Sequence, residues 1–208
     1  VDGKREIFTS YPRYDGETAA MLRYLGEDSG IERIGVIYAN NAYGQYFASR
    51  ARNFADTFGY NLVAAVPLAR DATSARRQVK TLRDKEADAI IMAVYSAGAT
   101  QIIQAKEDVD WDGLLVSSGP LTDEQYFQEA GESAVGTLGF CHYPSPTSSE
   151  ADGVVEYRRQ LEEYFPGRTP SRYSLYGYLM GNLVVEGLKR AGPNLTRDGF
   201  IDAMESIK

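Results

Sequence analysis

Arg33–Phe58, RIGVIYANNAYGQYFASRARNFADTF, changes its hydrophobic period part-way along, and that change decides the fold. Ile34, Val36 and Ile37, with Gly35, form a short β-branched run of the kind that suits a strand buried on both faces of a parallel sheet. Ala39-Asn40-Asn41-Ala42 breaks the run with turn-favouring amides. From Tyr43 onward, Phe47, Ala51, Phe54, Ala55 and Phe58 recur at three- and four-residue spacing, which marks one face of a helix. Gly59 supplies the stop. Ligands of open α/β sheets bind beyond the carboxyl ends of the strands, so the Asn40–Gly44 turn is the first place to look for a site. The competing reading, that Tyr43 only packs the turn, stays open here.

The same alternation runs through the flanking sequence. Ile7-Phe8-Thr9 reads as a short strand ended by Pro12, and Asp15 as the N-cap of a helix over Thr18, Met21, Leu22 and Leu25. Leu62–Val66 is a strand closed by Pro67. Asp71–Ser74 opens a helix with Val79 and Leu82 inward. Ile90–Val94 is the third strand of the alternating series, Tyr95–Gly98 its turn, and Thr100–Lys106 a helix. Leu114–Val116 is the fourth, ending in Ser117-Ser118-Gly119-Pro120, and Thr122–Glu124 starts a short helix. Strands alternating with helices of about a dozen residues predict right-handed βαβ units. The expected fold class is therefore α/β, a three-layer sandwich around a mainly parallel sheet. The turns Ala39–Gly44, Tyr95–Gly98 and Ser117–Pro120 should then share one edge.

After Gly136 the pattern changes. Thr137–Tyr143 alternates as an extended segment, and Tyr143–Ser149 is a Pro/Ser-rich linker. Only helices follow, at Ala151–Phe165, Ser174–Ala191 and from Thr196. The Ser174–Ala191 helix is more apolar than one exposed face permits and needs a sheet to lie on, which this chain does not supply. Val1-Asp2-Gly3-Lys4 reads as a processed or cut edge, and the expectation is a fragment.

Composition excludes several classes. Acids outnumber bases 29 to 22, a net charge of −7, and no Lys/Arg cluster makes a nucleic-acid footprint. Apolar runs fall short of the ~20 residues a membrane span needs. One cysteine, Cys141, rules out an internal disulfide and a multi-cysteine metal site. No phosphate loop, dinucleotide fingerprint or nucleophile elbow is present. Asp108, Asp110 and Asp112 imitate the start of a calcium loop, but its twelfth position is Gly119, where a bidentate Glu belongs. His142 beside Cys141 hints at a base and nucleophile, yet neighbours on an extended segment point to opposite faces. A buried structural thiol and a hydrogen-bonded histidine are expected instead, with no metal and no cofactor. What remains is a set of hydroxyl, amide and aromatic side chains on turns, a binding surface more than a catalytic one.

Three segments resemble the type I periplasmic solute-binding proteins of ABC importers, in the leucine/isoleucine/valine-binding family: Arg33–Gln45, Ala87–Ile103 and Arg172–Gly192. The resemblance implies two α/β lobes joined by crossing strands, with solute in the cleft between them. On that plan residues 1–14 form the first crossing, 15–136 the complete second lobe, 137–148 the return crossing and 149–208 helices of the first lobe. The start of the first lobe and the last crossing are lacking. It also implies a non-enzymatic, monomeric periplasmic receptor that binds a small-molecule solute, delivers it to a permease complex at the inner membrane and binds no nucleic acid. Carried over by position, Tyr43 matches the second lobe's ligand-packing tyrosine and Tyr95 or Ser96 its second contact. Gly119, next to Ser118, stands where amino-acid binders carry the acid that pairs with the ammonium group. Tyr143 and Tyr176 lie on matched segments near hinge and cleft. Without that acid, the implied solute leans away from simple branched-chain amino acids toward neutral or anionic compounds. Two other classes remain open: a sensing domain of a receptor or repressor, and a small α/β enzyme.

Overall fold

A computed structural model describes residues 4–9 and 11–207. They divide into two compact units. One is Arg13–His142, and the other joins the chain up to Pro12 with the part from Tyr143 onward.

The larger unit contains, in chain order, α1 (Tyr14–Arg23, continued by a π turn to Asp28), β1 (Arg33–Ala39), α2 (Ala42–Phe58), β2 (Asn61–Leu68), α3 (Arg76–Arg83), β3 (Ala89–Ala93), α4 (Ser96–Asp108), β4 (Leu114–Ser117), α5 (Glu124–Ala130) and β5 (Leu138–Gly139). All strand pairs are parallel, in the order β2-β1-β3-β4-β5. Successive residues of the central strands feed opposite faces. Ile34, Val36, Ala89, Ile91 and Ala93 pack under α1 and α2 with Met21, Leu22, Phe47 and Ala51. Ile37, Ile90, Met92 and Val94 pack under α3 and α4 with Val79, Leu82, Ala99 and Ile102. Burial on both faces is why these strands read as continuous apolar runs.

The sheet positions the site through its strand order. From β1 the chain moves outward to β2, then returns across β1 to β3. The loops leaving β1 and β3 therefore head to opposite faces and open a crevice between the two strand ends, a topological switch point. Gly44 lets the first turn of α2 close down on β1. A Cβ there would lie 2.1 Å from the Ala39 carbonyl oxygen.

Several sequence expectations shift. Ile7–Thr9 is not a strand; Ile7 and Phe8 are exposed with no sheet beside them. Asp15 is not an N-cap; α1 starts at Tyr14, and Asp15 sits in its first turn. β2 passes through Pro67 to Leu68, because on an edge strand the missing N–H is not needed. α3 begins only at Arg76, after the irregular segment 69–75. Part of the extended 137–143 segment is a fifth strand, paired with β4 through Val116–Leu138 and Ser117–Gly139. Cys141 is exposed, not buried, since its segment runs past the end of that pairing.

The second unit is helical among the described residues: α6 (Asp152–Tyr164), α7 (Arg172–Ala191) and α8 (Arg197–Glu205). Ser171 and Ser174 form a reciprocal capping box at the start of α7, and Thr196 caps α8 through the Gly199 N–H. Leu175 is fully buried against Val154 and Tyr157, whereas Val184, Val185 and Leu188 are exposed. No helix among the described residues is long and apolar enough to cross a membrane.

Candidate functional site

The carboxyl edge of the sheet gathers most of the residues singled out in the sequence. Asn41 caps α2 by accepting from the Gly44 N–H at 3.1 Å, and its amide Nδ2 lies 3.5 Å from the Tyr95 hydroxyl. That cap holds Tyr43 at the first turn. The Ser118 hydroxyl donates to the Met92 carbonyl at 3.1 Å, which leaves its oxygen to accept from the Tyr43 hydroxyl at 3.0 Å. Three ring centroids converge: Tyr14–Tyr43 at 4.8 Å and Tyr43–Tyr95 at 5.6 Å. Tyr95 remains 54% exposed, so its face is open to a partner. Ser96 begins α4 and accepts the Thr100 hydroxyl on its carbonyl. Tyr43, Tyr95, Ser96, Ser118 and Gly119 thus lie along one edge. The strand ends run side by side beneath them, with Tyr38 opposite Ala93 and Met92 opposite Ser117; Val94 lies just past the end of β3.

Gly119 has a partner that sequence reasoning missed. Its N–H donates to Glu17 Oε1 at 2.7 Å, and Glu17 Oε2 meets His142 Nε2 at 3.0 Å. The Glu17 side chain is 1% exposed. An acid therefore does sit beside Gly119, but both its oxygens are spent on the protein. His142 is hydrogen-bonded, as expected. Glu17 reads in the sequence as an ordinary first-turn acid of a helix, and no local pattern separates it from Asp15.

A cavity of about 550 Å³ opens beside the tyrosines, across the ends of β1, β2 and β3. Asn40 and Asn41, Leu68–Arg70, and Val94, Tyr95, Ala97 and Gly98 line it, with Gln101 at one side. Arg70 is its one charged lining residue and was not foreseen. Treating Pro67 as the end of β2 had left the turn after that strand out of account.

Tyr143 and Tyr176 belong to the helical unit. Their centroids stand 5.7 Å apart, Tyr11 meets Tyr176 edge-on at 5.9 Å, and Arg172 donates to the Tyr143 carbonyl. They form an aromatic cluster of their own.

A family model described as "Periplasmic binding protein" matches residues 2–208. The chain belongs to the periplasmic binding protein family. Its fold is that of the type I periplasmic binding proteins. A Leu/Ile/Val-binding protein homolog of Brucella abortus is 22% identical over 191 residues, covering 88% of this chain and 46% of that protein. A leucine-binding protein of Thermotoga maritima superposes with a TM-score of 0.83 at 16% identity, over 98% of this chain and 57% of its own. A fatty acid ABC transporter substrate-binding protein of Thermomonospora curvata gives 0.82 at 18%, over 98% and 54%. The chain spans about half the length of the curated relatives it matches. Across solved relatives of this fold, then, the strand order and the layers persist while sequence does not.

Proposed function

We propose that this chain is the solute-recognition part of a non-enzymatic receptor that works in the periplasm and delivers a small organic solute to an ABC-type permease. The observation that carries this reading is the switch-point edge itself. Tyr43, Tyr95 and Ser118 are preorganised by hydrogen bonds and ring contacts beside an open cavity that Tyr95 lines. Aromatic faces with hydroxyl tips bind amphipathic solutes at low entropic cost, and the nearby Glu17–His142 pair is largely buried and engaged with the Gly119 turn. The solute would lie against this edge, covered from its far side by the other lobe of the whole protein.

The solute class follows from Glu17. A buried ammonium needs a free carboxylate, since leaving it unpaired costs several kcal/mol. The acid nearest Gly119 is occupied by Gly119 itself and by His142. That disfavours simple branched-chain amino acids and favours neutral or acidic solutes. The neighbours' names include a leucine binder and a fatty-acid binder, so the fold accommodates an amino acid in one protein and an acid with an apolar tail in another.

The test is a thermal-shift and calorimetry panel on the full-length protein and its Tyr43→Ala variant. Binding of aromatic acids, amides or aliphatic acids that Tyr43→Ala weakens at least about tenfold supports the reading; tenfold is 1.4 kcal/mol, within reach of one aromatic contact. Tight binding of leucine or valine, unaffected by Tyr43→Ala, overturns it.

A further inference from the structure

We propose that the cavity beside Tyr95 is an anion subsite, with Arg70 as the residue that selects a solute bearing a carboxylate. This rests on the solute-binding reading of the same edge and narrows its ligand class.

Charge and donor inventory carry the inference. The chain's net charge is −7, yet the one charged residue lining this cavity is a cation. Arg70 makes no hydrogen bond or ion pair among the described residues, so its guanidinium fork is not committed to the protein. The asparagine acceptors around it are already consumed, while the Gln101 carboxamide oxygen at one side of the cavity is without a partner among the described residues. The Asn40 carboxamide oxygen takes the Gln45 side chain, and the Asn41 oxygen takes the Gly44 N–H. Both asparagines are thereby turned so that their NH₂ groups remain as donors. Ala97 and Gly98, which line the cavity, are in the first turn of the thirteen-residue α4. That turn carries no acid, and no side chain caps it. The positive end of a helix dipole therefore reinforces Arg70.

The remaining walls, Ala39, Leu68, Ala69 and Val94, are apolar. An ion pair inside such a concavity is less screened than one on open surface. Arginine's planar fork fits a carboxylate in two parallel hydrogen bonds, so the pairing is directional as well as electrostatic. The apolar wall and the Tyr95 ring would then take the solute's hydrocarbon or aromatic body. An acid with a compact apolar tail satisfies every surface of the cavity; its amide satisfies all but Arg70.

The experiment uses the full-length protein with three probe pairs: phenylacetate, 4-methyl-2-oxopentanoate and octanoate, each against its own primary amide. Calorimetry is run on wild type, Arg70→Gln, Arg70→Lys and Tyr43→Ala. At least one acid is expected to bind about tenfold or more tighter than its amide. Arg70→Gln should remove that preference, weakening the acid about tenfold and the amide less than about twofold, a loss of 1.4 kcal/mol for the charge pair. Arg70→Lys should retain part of it, and added salt should erode it in wild type but not in Arg70→Gln. No acid preference in wild type, no binding of any probe, or equal losses for acid and amide in Arg70→Gln overturns the proposal. Tyr43→Ala separates the two readings. If it leaves every affinity intact while Arg70→Gln acts, the edge reading fails and the anion subsite stands.

Discussion

Tyr126 is fully buried, and its hydroxyl has no hydrogen-bond partner among the described residues. Burial also pushes the phenol above its ordinary range. A desolvated, unpaired hydroxyl costs about 1–3 kcal/mol, so Tyr126→Phe should be neutral or raise the urea midpoint. Glu17 is the opposite case. Glu17→Ala strips the Gly119 N–H and His142 of their acceptor at once, and should lower stability by about 1–3 kcal/mol in the same measurement. If Glu17→Ala unfolds no more easily than wild type, the pair contributes nothing to holding the Gly119 turn. Asp88 bears on pH. It accepts from the Arg33 guanidinium and N–H, and its carboxyl titrates below the usual range chiefly through that bond. A depressed folded value contributes stability that is fully present above about pH 4 and lost as pH falls through it. The unfolding midpoint of wild type should therefore fall more steeply below pH 4 than that of Asp88→Asn.

At the scale of the element, the N-terminus of α2 joins fold to site. Asn41→Ala removes its cap and should cost about 1 kcal/mol while loosening Tyr43. Gly44→Ala drives a Cβ into the Ala39 backbone and should cost more, at the upper end of the ~1–3 kcal/mol of overpacking. Chemical denaturation ranks the two, and an equal or reversed order would show that β1 yields at Ala39. This element was legible in the sequence because its period switches from strand to helix within a few residues, and Asn41 and Gly59 punctuate it. β1, β3 and β4 announced themselves by apolar runs buried in the sheet, and β2, a half-buried edge strand, by the run Leu62–Val66. β5 was read only as part of an alternating extended segment, because two residues paired at a sheet edge do not mark where a strand begins and ends. The site was legible only where it follows a clear strand. Tyr43, Tyr95 and Ser118 were singled out that way, and the structure brings them together at the carboxyl edge. Glu17 meets partners distant in sequence, and Arg70 comes after a proline that reads as a strand end, and a linear pattern carries neither.

At the scale of the molecule, the helical unit shows apolar surface that its own helices do not cover. Val184, Val185 and Leu188 line one stretch of α7, each more than 40% exposed. With the chain spanning about half of its curated relatives, a sheet from the rest of the protein is the expected cover. The 208-residue chain should therefore bind a hydrophobic dye that the full-length protein does not, a comparison made by fluorescence titration. Equal dye binding by both would mean that this face stays open. Cys141 offers a way to watch the whole assembly at work. It is the single thiol of the sequence, it is exposed, and it lies one residue inside the boundary between the two units. In the 208-residue chain a fluorophore attached there needs no engineered cysteine. The 208-residue chain thus comes with a built-in address for an optical reporter of solute binding.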